Sequence, residues 1–209
     1  MSAIFLVRHG QASFGSDEYD RLSPLGLSQA STLGHALAAA DVRPALVVAG
    51  SLRRQADTAA AMIEGAGWER EGRIDPAWNE FDHIALATAT GHPDDPGAFQ
   101  DALEVGMRAW ANGDTHGPET FDGFQTRTRL ALQRVLAASP SGSAVVVSSA
   151  GVISWLTASL LGGSVDLWIR INRVCVNTGV TKLVHGSRGL SMVSFNEHGH
   201  LTRSAVTYR

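Results

Sequence analysis

The stretch Ala3-Ile4-Phe5-Leu6-Val7-Arg8-His9-Gly10-Gln11 decides the fold. Ile4 to Val7 follow one another without the alternation of a half-exposed strand, as expected of a parallel strand buried on both faces. The run then breaks into Arg8, His9, Gly10 and Gln11. Polar residues at the carboxyl end of such a strand stand where open α/β sheets hold their ligands. Arg8 presents a planar cation with five donors, His9 an imidazole, and Gly10 lets the chain turn and a ligand come close to the backbone. That set suits a phosphate group, although taken alone it also describes a strand end with two solvated polar residues.

Working outward, Ala12 to Ser23 has loop composition, with Gly15, Ser16, Asp17 and Asp20, and is expected to flank the pocket. Ser23-Pro24 reads as an N-cap followed by proline at the first helical position. Leu27, Ala30, Leu33, Leu37 and Ala38 continue at helical spacing to about Ala40. Ala45 to Ala49 is a second buried-strand candidate, so the opening reads strand, helix, strand, a right-handed parallel unit. After Gly50-Ser51, Leu52, Ala56, Ala59, Ala60 and Ile63 mark one face of a helix whose N-terminus carries Arg53 and Arg54. Helix N-termini favour anions, but the two arginines differ by about 100° around the axis, so they cannot both enter one pocket.

Residues 72–83 form a short extended piece, a turn at Asp75-Pro76 and a polar cluster in which Glu80, Asp82 and His83 are candidate acid–base groups. The pattern weakens over about 84–118, where one helix containing Phe99, Leu103, Met107 and Trp110 is expected inside a small lid insertion. Its apolar residues read as a packing face. Thr120 caps a helix through Leu136, Ala144 to Ser149 is the third strong strand, and a helix from Gly151 stops at Gly162-Gly163. Residues 179–185 and 190–195 read as a hairpin. The expected fold is a single domain over 1–209: a three-layer α/β sandwich with a mostly parallel sheet, an antiparallel edge, helices on both faces and the lid.

A formal charge of −3 without charge blocks gives no footing for nucleic acid or a membrane surface. No segment approaches the roughly 20 apolar residues of a membrane span, and Met1-Ser2-Ala3 leads straight into a strand with no signal-peptide pattern. The single Cys175 fits a reducing compartment and reads as inert core. The protein is therefore read as cytoplasmic. His198 and His200, at alternate positions late in the chain, read as solvated rather than as a metal pair.

Three strand ends, Arg8-His9-Gly10-Gln11, Gly50-Ser51-Leu52-Arg53-Arg54 and Ser148-Ser149-Ala150-Gly151, converge with Glu80 at one sheet edge. They suit phosphoryl transfer in which a neutral histidine attacks, arginines hold the equatorial oxygens and a carboxylic acid protonates the leaving oxygen. No metal or other cofactor is required if arginines supply the positive charge. Leu6-Val7-Arg8-His9-Gly10-Gln11 resembles the signature of the histidine phosphatase superfamily, also called phosphoglycerate mutase-like. Leu22 to Ala30, Leu52 to Ala59, Trp78-Asn79-Glu80 and Asn177 to Thr181 resemble its later segments, thinning over 85–118. The resemblance implies His9 as phosphohistidine, Arg8 and Arg54 as phosphate ligands with Gln11 beside them, and Glu80 as proton donor.

The chain departs from the family pattern at Ser149, which stands where a second histidine is usual, and at Ala12 and Gly15, where threonine and asparagine are usual. Losing one charged donor to the transferring group costs about 10²–10³ in rate. Ser149 remains a donor without charge, and His83 is a candidate replacement cation, the alternative being that it only packs at the base of the lid. Three functions remain open: a metal-independent phosphatase acting on a small phosphomonoester, a phosphate-ester or phosphoprotein-binding module with little or no turnover, and a mutase. The short insertion, poor in basic residues, disfavours the last. Oligomeric state is left open.

Overall fold

The computed structural model describes residues 1–13, 20–89, 96–115 and 117–208. Gly15, Ser16 and Asp17 of the expected pocket loop, and residues 90–95 and 116 of the expected insertion, lie outside the described residues. Six strands, β1 (Ser2–Arg8), β2 (Leu46–Ala49), β3 (Arg73–Ile74), β4 (Gly142–Ser148), β5 (Val180–Gly186) and β6 (Gly189–Glu197), make one sheet in the order β3-β2-β4-β1-β5-β6. The first four are parallel, while β5 runs antiparallel to β1 and β6 antiparallel to β5. This is the expected mostly parallel sheet with an antiparallel edge.

The continuous apolar run of β1 is explained by burial on both sides. Ile4 and Leu6 enter one core with Val146, Phe124, Leu132, Leu156 and Trp168, while Phe5 and Val7 enter the other with Leu33, Ala59, Met62 and Val147. Helices α1 (Pro24–Ala39) and α2 (Arg53–Ala66) cover the second face. The first is covered by α5 (Phe121–Ala138), α6 (Ala150–Leu160) and α7 (Val165–Arg173). The Ser23 hydroxyl accepts from Gly26 N at 3.0 Å, so the expected Ser-Pro start of α1 is an N-cap in fact.

Two helical elements depart from expectation. The segment expected to hold one helix holds two, α3 (His83–Thr88) and α4 (Pro96–Asn112). With six residues, α3 is too short to show a period, and its start is fixed by Asp82, whose carboxylate accepts from Ala85 N at 2.9 Å. Leu103, Met107 and Trp110 of α4 do pack into the larger core. Helix α7 was not anticipated, although Ser164 at its N-cap, Asp166 in its first turn, buried Trp168 and Ile169, and Arg170 and Arg173 in its last turn spell one out. No described helix is long and apolar enough to cross a membrane.

Candidate active site

At the C-terminal end of β1, residues 8–11 are held by hydrogen bonds from four directions. His9 N donates to Ser148 O of β4 at 2.9 Å, and Asn177 Nδ2 donates to His9 O at 3.1 Å. Gly10 N donates to Thr58 Oγ1 of α2 at 2.9 Å, and Gln11 N to Gln29 Oε1 of α1 at 2.8 Å. Gln29 in turn donates to Ala205 O and Thr207 Oγ1, each at 2.8 Å, and Thr207 Oγ1 donates to Asn177 Oδ1 at 2.9 Å. A ring of buried amides thus ties a segment near residue 207 to the turn at His9. Gly10 is required by crowding: a Cβ there would lie 2.5 Å from Gly26 O, so the missing side chain admits α1 as well as the turn.

His9 is 6% exposed. Its Nδ1 lies 2.8 Å from Gly10 O, and Arg54 Nε lies 3.2 Å from its Nε2. A carbonyl only accepts and a guanidinium only donates, so Nδ1 carries the proton and Nε2 presents its lone pair. Burial, then the Arg54 and Arg8 guanidiniums, hold the imidazole well below its ordinary value of 6.5. The ring is neutral at physiological pH, the state in which Nε2 is a nucleophile.

Arg54 is 5% exposed on the inward face of α2. Its Nη1 donates to Asp20 Oδ1 at 2.6 Å, while Asp20 Oδ2 accepts from Arg53 N at 2.7 Å. Asp20 therefore both neutralises Arg54 and caps a helix whose N-cap residue, Leu52, offers no side-chain acceptor. The expected divergence of the arginines holds: Arg53 points outward, 3.6 Å from Asp57. Arg8 donates to the carbonyl of Cys175. Cys175 is buried, and burial pushes its thiol up to about 12.

Glu80 follows the 3-10 turn Pro76–Trp78. Its Oε2 accepts from Gly151 N in the first turn of α6 at 2.9 Å, and its Oε1 from Phe81 N at 3.2 Å. Burial pushes its carboxyl above the ordinary 4.5, outweighing the downward pull of the Gly151 N–H and of Arg54. His83 opens α3 with its ring 6.3 Å from that of Phe99. Burial and Arg54 lower it to about 4, against the pull of Asp82, so it stands in the site as a neutral imidazole.

Arg8, His9, Arg54, Glu80 and His83 line one cavity of about 420 Å³. Gln11 and Ser149, the other two expected site residues, are not among its walls. The Gln11 side chain accepts from Ser23 Oγ at 2.8 Å. Ser149 is 1% exposed, and its hydroxyl accepts from Gln55 Nε2 at 2.8 Å. The cavity is also lined by residues that the sequence did not single out, Gln100, Asn172, Arg173 and Tyr208, with Phe99 and Leu103. Asp20 was seen only as loop composition. The pair His198 and His200 is not the solvated strand end expected, since β6 stops at Glu197 and His200 Nε2 lies 3.0 Å from Thr178 Oγ1. Burial lowers His200 to about 4.

A model of the histidine phosphatase superfamily (branch 1) matches residues 4–198. A glucosyl-3-phosphoglycerate phosphatase of Mycolicibacterium vanbaalenii is 28% identical over 185 residues, covering 79% of this chain and 76% of its own. Among solved structures, a mutant phosphoserine phosphatase of Entamoeba histolytica in complex with phosphoserine superposes with a TM-score of 0.73 at 19% identity, covering 97% of this chain and 100% of that one. A mycobacterial glucosyl-3-phosphoglycerate phosphatase with inorganic phosphate gives 0.68 at 25% identity, covering 96% and 99%.

Proposed function

The chain belongs to the histidine phosphatase superfamily, and from that premise we propose that the His9 cavity hydrolyses a small phosphomonoester through a phosphohistidine. The observation that carries this reading is the state of His9: neutral, Nδ1–H fixed on Gly10 O, Nε2 facing a cavity that also holds Arg8, Arg54 and Glu80. A phosphate entering the cavity draws the Arg54 guanidinium from His9 Nε2 onto its equatorial oxygens, beside Arg8, which frees the lone pair. Nε2 attacks phosphorus as the bond to the alcohol oxygen breaks. Glu80, whose carboxyl burial pushes above its ordinary range, gives a proton to that oxygen. The resulting carboxylate then takes a proton from water, whose oxygen attacks the phosphohistidine. Inorganic phosphate leaves and His9 returns neutral. The names of the relatives, all phosphatases of small phosphorylated compounds, agree with this reaction class.

At the position where the family resemblance leads one to expect a second histidine, Ser149 supplies no charge, and its hydroxyl is engaged by Gln55. His83, on the cavity wall, is the residue that stands in as a donor to the transferring group. It enters neutral and gains a proton only when a phosphate dianion arrives. The same serine favours a second reading, a phosphate-binding module with little turnover. Turnover of a phosphoester panel by the wild type and His9→Ala, with trapping of an acid-labile phosphoenzyme, separates the two. Activity surviving in His9→Ala defeats the catalytic assignment, and phosphate binding without turnover favours the module. Beside these, His83→Ala should slow turnover, and unchanged turnover in that variant removes the stand-in role.

A further inference from the structure

The wall of the His9 cavity built by α4 and α7 carries its own charge balance. Arg173, in the last turn of α7, reaches this wall and is held by both carboxylate oxygens of Glu104, one through Nε and one through Nη2. Glu104 is 6% exposed on α4, and Gln100 Nε2 adds a third bond to its Oε1 at 3.1 Å. The carboxylate is pulled below, and the guanidinium pushed above, their ordinary values by this bond, and Asp101 adds a second negative charge beside Arg173. The cation is therefore answered by two carboxylates. Next to it the wall is apolar, formed by Phe99 and Leu103. The part of the cavity lined by Phe99, Leu103 and Arg173 is thus neutral to negative.

We infer that the site selects phosphomonoesters of uncharged, partly apolar alcohols, and that the Glu104–Arg173 pair excludes alcohols carrying a carboxylate. The inference rests on the cavity being a phosphomonoester site. A second anion on the substrate would meet an Arg173 already engaged in a bidentate pair, and would have to displace a buried carboxylate to use it. Phe99 and Leu103 offer instead a surface for an aromatic or aliphatic group.

The test uses phenylphosphonate and 3-carboxyphenylphosphonate, alike in shape and neither able to be hydrolysed, with binding measured by calorimetry at low salt. The wild type should bind phenylphosphonate at least about fivefold more tightly, the scale of one like-charge contact in water. Glu104→Gln keeps the shape but removes the charge and one of the two acceptors that hold Arg173, and should abolish or reverse that preference. Asp101→Asn, on the exposed side of the pair, should reduce it by about twofold and guards against a folding defect in the first variant. Equal or tighter binding of the carboxylated ligand by the wild type, a ratio unchanged in both variants, or no binding of phenylphosphonate overturns the inference. Hydrolysis of phenyl phosphate is followed separately: selective binding without hydrolysis would remove the phosphatase reading and leave the selectivity standing.

Discussion

Gly151→Ala should separate the acid from the nucleophile. A Cβ at Gly151 would lie 2.3 Å from Phe81 Cε1 and 2.4 Å from Glu80 Oε1. Carbon atoms in contact ordinarily stand about 3.5–4.0 Å apart, so the overlap with the ring exceeds about 1 Å. The ring has little room to retreat: Phe81 is 4% exposed, and Trp110, Phe124 and Trp168 stand 5.4, 5.6 and 5.6 Å from it, centroid to centroid. The Glu80 carboxylate is at the free end of a flexible side chain and gives way first, leaving the Gly151 N–H that held it. Overpacking of this size costs about 1–3 kcal/mol. In a chain of this length that lowers Tm by about 2–12 °C. Displacing the acid by about 1 Å should cost about 10²-fold in kcat/KM for an alkyl phosphate, whose alkoxide needs a proton to leave. Hydrolysis of p-nitrophenyl phosphate, whose leaving group needs none, should fall far less, and phosphoenzyme trapping should persist. Equal losses on both substrates, with Tm still within the stated range, would refute the assignment of Glu80 as the acid.

Three further expectations use other measurements. Glu80→Gln should abolish the alkaline limb of the pH profile of kcat/KM for an alkyl phosphate, because that limb is the ionisation of a carboxyl raised by burial. His83 and His200 both fall from an ordinary 6.5 to about 4. The unfolded chain then binds more protons on these two rings between those values, so their contribution to the urea midpoint is fully present above about pH 6.5 and is lost as pH drops toward 4, and the variant carrying His83→Gln and His200→Gln should show a flatter decline over that window. Gln29→Leu removes an acceptor for Gln11 N and two donated bonds to residues 205 and 207. It should lower stability by about 2–4 kcal/mol in urea melts and weaken orthophosphate binding, since it loosens the turn that carries His9.

The buried strands around His9 were legible because burial on both faces writes unbroken apolar runs, as in Ile4–Val7, Val47–Ala49 and Ala144–Val147, and each run ends where a polar cluster begins. Helix geometry showed only that one of the two adjacent arginines could turn inward, and the family resemblance pointed to Arg54. What escaped came from long-range contacts without a local period. Asp20 is one acidic residue in a loop, and only its placement against Arg53 N and Arg54 gives it a role. Arg173 and Glu104 sit on separate helices, so their pairing depends on how α4 meets α7. Helix α7 itself was readable from its cap and its charged last turn, and it was missed because a nine-residue element offers little more than two turns. Ser149 shows another limit: its departure from the family pattern stands in the sequence, but its engagement by Gln55 follows from the packing of α2 beside the end of β4.

The position of β1 in the sheet has a kinetic side. Its neighbours, β4 and β5, come from the far half of the chain, and the amide that holds the His9 carbonyl, Asn177, lies 168 residues away. Such non-local pairings are closed late in folding, because loop-closure entropy must be met before their contacts form. His9 is made early in the sequence and reaches its buried, hydrogen-bonded setting only when the sheet is complete. A partly folded chain therefore exposes an ordinary, protonatable imidazole, and the appearance of orthophosphate affinity during refolding should coincide with the slowest structural phase.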